Sequence, residues 1–101
     1  MSAIQITKSN FNSEVTQSDK PVLLDFWAPW CGPCRTVLPL VEEIALERSD
    51  IKVGKINVSE EPELARQFRV MSIPALIVMK DGAVVNRATG ARPKEAILEL
   101  L

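Results

Sequence analysis

Apolar and polar positions change period several times along the 101 residues. Ala3 to Thr7 alternates, which predicts a short first strand with Ile4 and Ile6 on one face. Phe11 and Val15 lie four apart, the spacing of one helix face, and Ser9 or Asn10 is placed to cap that helix. Ser18 to Pro21 reads as a turn. Pro21 to Trp27 is apolar on both faces except at Asp25, the pattern of a central strand covered by helices on both sides. Val22, Leu24 and Phe26 are then expected to face one way, and Leu23, Asp25 and Trp27 the other.

Cys34 to Arg48 returns to the helical period, with Val37, Leu38, Val41, Ile44 and Ala45 as its apolar stripe. Pro39 falls inside this helix and predicts a kink, since its nitrogen has no proton to donate. Ile51 to Val58 predicts a third strand. Pro62 suits the first turn of a helix whose inward face is Leu64, Ala65 and Phe68. Ile73-Pro74 precedes a fourth strand, Ala75 to Met79. Asp81-Gly82 is a strong hairpin signal that joins it to a fifth, Ala83 to Thr89. Gly90 ends the alternation, and Pro93 opens a last helix that buries Ile97, Leu100 and Leu101. The order β-α-β-α-β-α-β-β-α predicts an α/β fold. Its central mixed five-stranded sheet has the second strand near the middle and four helices flanking both faces. The length predicts a single domain over residues 1–101.

Charge narrows the function classes. Twelve basic residues against 13 acidic ones leave a net charge of -1, without the footprint that binds nucleic acid or an anionic membrane. There is no long apolar run to span a bilayer. The N-terminal residues show no basic region followed by an apolar one. A cytoplasmic monomer is therefore expected, or a protein of the plastid stroma if a transit peptide has been removed. In a reducing compartment a lone cysteine pair points to catalysis or metal binding. A metal centre needs about four ligands, and this chain has two cysteines and no histidine, so no metal is expected.

Candidate chemistry concentrates in Trp27-Ala-Pro-Trp-Cys-Gly-Pro-Cys34, which holds both cysteines and both tryptophans. Residues i and i+3 of a helical turn lie about 5–6 Å apart, within reach of a disulfide. Cys31 is expected at the very start of the helix, where free amides and the helix dipole favour a thiolate, the form that attacks disulfides. Cys34, a turn further in, is expected to be more buried and to keep its proton longer, so it would resolve the mixed disulfide. Gly32 leaves room for a substrate chain and Pro33 stiffens the loop. Two inert core thiols would be the plainer reading, but the proline-framed element boundary disfavours it.

Asp25 is the other anomaly. An ionised carboxylate in a doubly covered strand is costly unless paired. Burial should raise its pKa, which would let it take the proton of Cys34. Alternatively it pairs with Lys55, on the neighbouring strand in the same phase. Trp27 is expected to pack beneath the site, and Trp30, beside Cys31, to be partly exposed for docking. Only about 5–6% of X–Pro bonds are cis, so composition gives no reason to expect one at Ile73–Pro74.

The sequence Trp27 to Arg35 resembles the active-site signature of thioredoxins in the form common in bacteria and plastids. The likeness extends to Val22-Leu-Leu-Asp-Phe-Trp27, Pro39, Lys55-Ile-Asn-Val58, Ser72-Ile-Pro-Ala75, Lys80-Asp-Gly82 and Thr89-Gly-Ala91. The resemblance implies the thioredoxin fold and a dithiol that reduces protein disulfides, with Cys31 attacking, Cys34 resolving and Asp25, beside Lys55, as buried proton acceptor. It also implies a cis-proline at Pro74, and a substrate groove formed by Trp30, Ile73, Gly90 and Ala91. No bound cofactor is implied. Electrons would come from a thioredoxin reductase, dependent on NADPH or on ferredoxin, and go to disulfide-containing client proteins. The departures are Ser59, Phe68, Met71, Ala75 and Met79, of which Met71 makes the docking region more apolar. The other functions open to such a chain are a disulfide oxidase or isomerase, and a binding module in which the thiols are incidental.

Overall fold

Five strands form one mixed sheet in the computed structural model, which describes residues 2–101. The strands are β1 (Ile4–Gln5), β2 (Val22–Trp27), β3 (Lys52–Asn57), β4 (Ala75–Lys80) and β5 (Ala83–Thr89). Their order across the sheet is β1-β3-β2-β4-β5, so β2, apolar on both faces apart from Asp25, is the middle strand, as its pattern predicts. β1, β3 and β2 run parallel, and β4 and β5 are antiparallel additions. Four helical segments connect them: α1 (Asn12–Thr16), α2 (Cys34–Glu47), α3 (Pro62–Gln67) and α4 (Lys94–Leu98).

Strand pleating splits the core in two. Val22, Leu24 and Phe26 join Ile56, Ile77 and Met79 under Phe11, Val15, Leu64 and Phe68. Leu23, Val53, Leu76 and Val78 meet Val37, Val41 and Ile44 of α2 and Ile97 of α4 on the opposite face. Leu100 and Leu101 pack only partly against this second cluster. Gly54 of β3 is the tightest point among the glycines: a Cβ there would stand 2.7 Å from Ile6 Cγ1 and 3.1 Å from Leu24 Cδ2.

Three local details depart from the expected pattern or refine it. α1 is a single wide turn of π type, and neither Ser9 nor Asn10 caps it. Asn10 instead folds back on the exit of β1, accepting from the Thr7 N–H at 2.7 Å and donating to the Gln5 carbonyl at 2.9 Å. That closes a local turn, the alternative that asparagine side chains offer the backbone. The hairpin turn has Asp81 at φ 51° and Gly82 at φ 78°, the paired positive angles that match the twist of the flanking strands. α2 runs unbroken through Pro39, which is exposed. Among the described residues no helix is long and apolar enough to cross a membrane.

Candidate active site

β2 and β3 end side by side, with Trp27 opposite Asn57. The candidate site lies just beyond those carboxyl ends, where open α/β sheets place ligands. The chain leaves Trp27 in a tight loop, the Cys31 N–H bonding the Ala28 carbonyl at 3.1 Å, and turns into α2. Cys31 does not start the helix. The first regular residue is Cys34, Pro33 is the N-cap, and the Arg35 N–H bonding the Gly32 carbonyl at 3.0 Å forms the entering turn. The Arg35 N–H bonds the Gly32 carbonyl and not that of Cys31, so the entering turn leaves Cys31 outside. The expected electrostatic contact survives this shift, because the Cys34 N–H points at Cys31 Sγ from 3.2 Å.

Cys31 and Cys34 are joined as a disulfide with their Cα atoms 5.4 Å apart. Cys31 keeps 5% of its surface exposed and Cys34 none. Gly32 has open space around it, with nothing within 4 Å of where a Cβ would stand. Trp27 packs against Ala28 and both cysteines, with its indole N–H buried and unpartnered. Trp30 is 71% exposed, and its indole donates to Ser59 Oγ at 3.0 Å.

Across from the disulfide, the Ile73 carbonyl oxygen stands 3.8 Å from Cys31 Sγ, and the Ile73–Pro74 bond is cis. The Pro74 carbonyl accepts the Gly90 N–H at 2.8 Å, which ties the loop after β5 to this wall. Gly90 has φ 98°, a conformation open to glycine at no steric cost. The Arg92 guanidinium pins the same loop by donating to the Thr89 carbonyl at 2.9 Å. Ile73, Pro74 and Gly90 are thus gathered beside Cys31, and Ala91 follows, exposed.

Behind the site Asp25 is completely buried and neither carboxyl oxygen has a hydrogen-bond partner. Burial pushes its pKa up to about 7, against a weaker downward pull from the Lys55 charge. Lys55 faces Asp25 directly in the β2–β3 register, yet among the described residues no ion pair joins them. Asp25 shares its strand face with Trp27, which packs against both cysteines.

Sequence reasoning passes over Ser59 as the partner of Trp30, and Val58, Pro62, Ala65, Arg66 and Val70 as groove residues. Their only local signal is their place after β3, the parallel strand that ends beside β2. Pro39 lies inside α2 and is exposed. Among the described residues no group of three or more histidine, cysteine, aspartate or glutamate side chains is placed to hold a metal ion.

Comparison with known proteins agrees with this geometry. The family model described as Thioredoxin matches residues 2–101. The thioredoxin of Mycobacterium tuberculosis is 52% identical over 99 residues, covering 97% of this chain and 85% of that protein. Thioredoxin 1 of Nostoc sp. is 50% identical over 100 residues, 98% of this chain and 94% of its own. A bifunctional thioredoxin reductase/thioredoxin of Mycobacterium leprae is 49% identical over 96 residues, 94% of this chain and 21% of that larger protein. The likeness runs across every strand and both cysteines, and the pair stands at bonding distance: the chain belongs to the thioredoxin family and is a thiol–disulfide oxidoreductase.

Proposed function

We propose that the chain reduces client disulfides with Cys31 as nucleophile, Cys34 as resolving thiol and Asp25 as proton acceptor. The observation that carries this division is the unequal setting of the two sulfurs. Cys31 keeps access to solvent and its Sγ receives the Cys34 N–H, a donor that would stabilise a thiolate, whereas Cys34 is sealed in. In the reduced protein, the Cys31 thiolate attacks one client sulfur. The client disulfide breaks, one client thiolate leaves, and a Cys31–client disulfide forms. Cys34 then gives its proton to Asp25, directly or through a water, and attacks Cys31 Sγ. The second client thiolate departs and the Cys31–Cys34 disulfide of this structure results. Two electrons pass from the dithiol to the client. The raised pKa of Asp25 suits it to take up a proton and release it during turnover near neutral pH.

Trp30, Ile73, Pro74, Gly90 and Ala91 would hold the client backbone against Cys31, while Gly32 and Pro33 tune the loop. The electron donor is proposed to be a thioredoxin reductase, consistent with the fused reductase in the name of the Mycobacterium leprae relative. A reducing compartment, the cytoplasm, is the setting in which such a dithiol works as a reductant.

Insulin-disulfide reduction with Cys31→Ser, Cys34→Ser and Asp25→Asn tests the roles. Cys31→Ser should abolish reduction, and Cys34→Ser should accumulate a covalent client adduct through Cys31. Asp25→Asn should slow resolution by about 100-fold or more near pH 7. Turnover by Cys34→Ser at the parent rate, or unchanged resolution in Asp25→Asn across pH 6–9, would remove the corresponding assignment. A reduction potential well above the cytosolic glutathione range would turn the reading toward an oxidase.

A further inference from the structure

Beyond Trp30 and Ile73, which the proposed client site already uses, the surface beside the disulfide continues toward the end of α3. Trp30, Val58, Ala65, Val70, Met71 and Ile73 line a groove of about 260 Å³. It is continuous with the redox site, because Trp30 precedes Cys31 and the Ile73 carbonyl stands 3.8 Å from Cys31 Sγ. Its volume falls just short of the roughly 300–1,000 Å³ of small-molecule sites, which suits a side chain or two better than a cofactor.

The groove is built, not incidental. The Val70 N–H bonds the Ala65 carbonyl at 2.9 Å and the Arg69 N–H bonds the Arg66 carbonyl at 3.0 Å, a double closure that folds the chain back over the end of α3. Arg69 takes φ 54° to make this turn. Val70 is thereby laid beside Ala65, and Met71 is carried out to 93% exposure. Ser59 holds the Trp30 indole through a hydrogen bond, so the opposite wall is fixed too. Two large apolar side chains, Trp30 and Met71, are thus kept in water on the walls of one groove, an arrangement that marks an interaction site.

Arg66 is the one charged residue lining the groove. Among the described residues its guanidinium has no ion-pair partner. The acids in its stretch of chain hydrogen-bond elsewhere: Glu63 pairs with the Lys8 ammonium at 2.9 Å and feels Arg66 only through space, and Glu61 accepts the Lys8 backbone N–H at 3.0 Å. An apolar trough with a single cation free of any ion pair is complementary to an apolar side chain flanked by a carboxylate.

We propose that this groove selects clients: it takes a segment whose cysteine is followed or preceded by a bulky apolar residue and then an acidic one. The apolar side chain seats between Trp30 and Met71, and the carboxylate meets Arg66. The inference rests on the reading that Cys31 attacks client disulfides. The covalent step is unchanged, one protein dithiol and one peptide disulfide giving one protein disulfide and two peptide thiols.

Symmetric disulfide dimers of synthetic cysteine peptides test it. One set carries Leu-Glu beside the cysteine, one Leu-Lys and one Ser-Glu, each placed on either side. Reduced protein in excess gives single-turnover rates, resolved into a half-saturating concentration and a limiting rate. For an exposed charge at low salt, the Leu-Glu peptide should be favoured over Leu-Lys by about two- to fivefold, mainly through half-saturation. Arg66→Glu should invert that ratio, a swing of roughly tenfold, and high salt should flatten it in both proteins. Met71→Ser should narrow the preference for Leu-Glu over Ser-Glu. If the peptides are reduced but the Glu/Lys ratio is the same in Arg66→Glu, the inference is overturned and the reductase reading stands. If the parent protein reduces none of them, both fall.

Discussion

Replacing Asp25 by asparagine should make the oxidised protein more stable, and by an amount that depends on pH in a defined way. The carboxyl group ionises near 3.8 when free of the fold and only near 7 within it, because burial opposes its charge more than Lys55 supports it. A gap of about 3 units at 1.36 kcal/mol per unit is on the order of 4 kcal/mol. Below about pH 4 both folded and unfolded Asp25 are protonated, and the residue costs nothing electrostatically. Between pH 4 and 7 the unfolded chain releases the proton and the folded chain retains it, so stability is lost as pH rises. Above pH 7 the full penalty remains constant. The Asp25→Asn variant would carry no such dependence. The stability difference between variant and parent should therefore grow by about 4 kcal/mol from pH 4 to pH 8, equivalent to a relative rise of roughly 15 °C or more in Tm for a chain of this size. Urea unfolding of the oxidised proteins at pH 4, 5.5, 7 and 8.5 measures it. Oxidation removes the cysteines from the titration, and the chain has no histidine to confuse the window. A difference that stays flat across these pH values would refute the reasoning.

Two further substitutions probe the frame that holds the site. Gly54→Ala places a Cβ 2.7 Å from Ile6 Cγ1, within a fully packed layer, and should destabilise the protein by about 1–3 kcal/mol in chemical denaturation, with a matching fall in Tm. Arg69→Gly relieves a left-handed side-chain-bearing residue, worth about 1–2 kcal/mol, against about 0.5–1 kcal/mol of added unfolded-chain entropy. A net gain of about 0.5–1 kcal/mol in urea unfolding is expected, and a loss would mean that Arg69 makes a stabilising contact of its own.

The most legible parts of the fold are those with strong local periodicity. The doubly apolar run Val22 to Trp27 announces a central strand and its two faces, and those faces do separate the two core clusters. Asp81-Gly82 announces the hairpin, and Pro62 the start of α3. The short elements are less legible. Asn10 has a side chain equally able to cap a helix or close a turn, and only the path of the chain between β1 and α1 selects the turn. Spacing alone puts Cys31 one turn too far into the helix, since it gives the distance between the cysteines but not where the first helical hydrogen bond closes.

The sequence by itself therefore determined the reacting pair, its spacing, the buried acid behind it and the strand that leads into it, because each follows from residue type and short-range period. The tertiary structure decided what surrounds that pair. The contact of Ile73 with Cys31 spans 42 residues and that of Trp30 with Ser59 spans 29. Such contacts depend on how strands are ordered in the sheet, which places the ends of β2 and β3 together and brings the loop before β4 to meet them. Arg66 lines the groove without an ion pair for the same reason: acids precede it in sequence, but the fold delivers Lys8 to bond them.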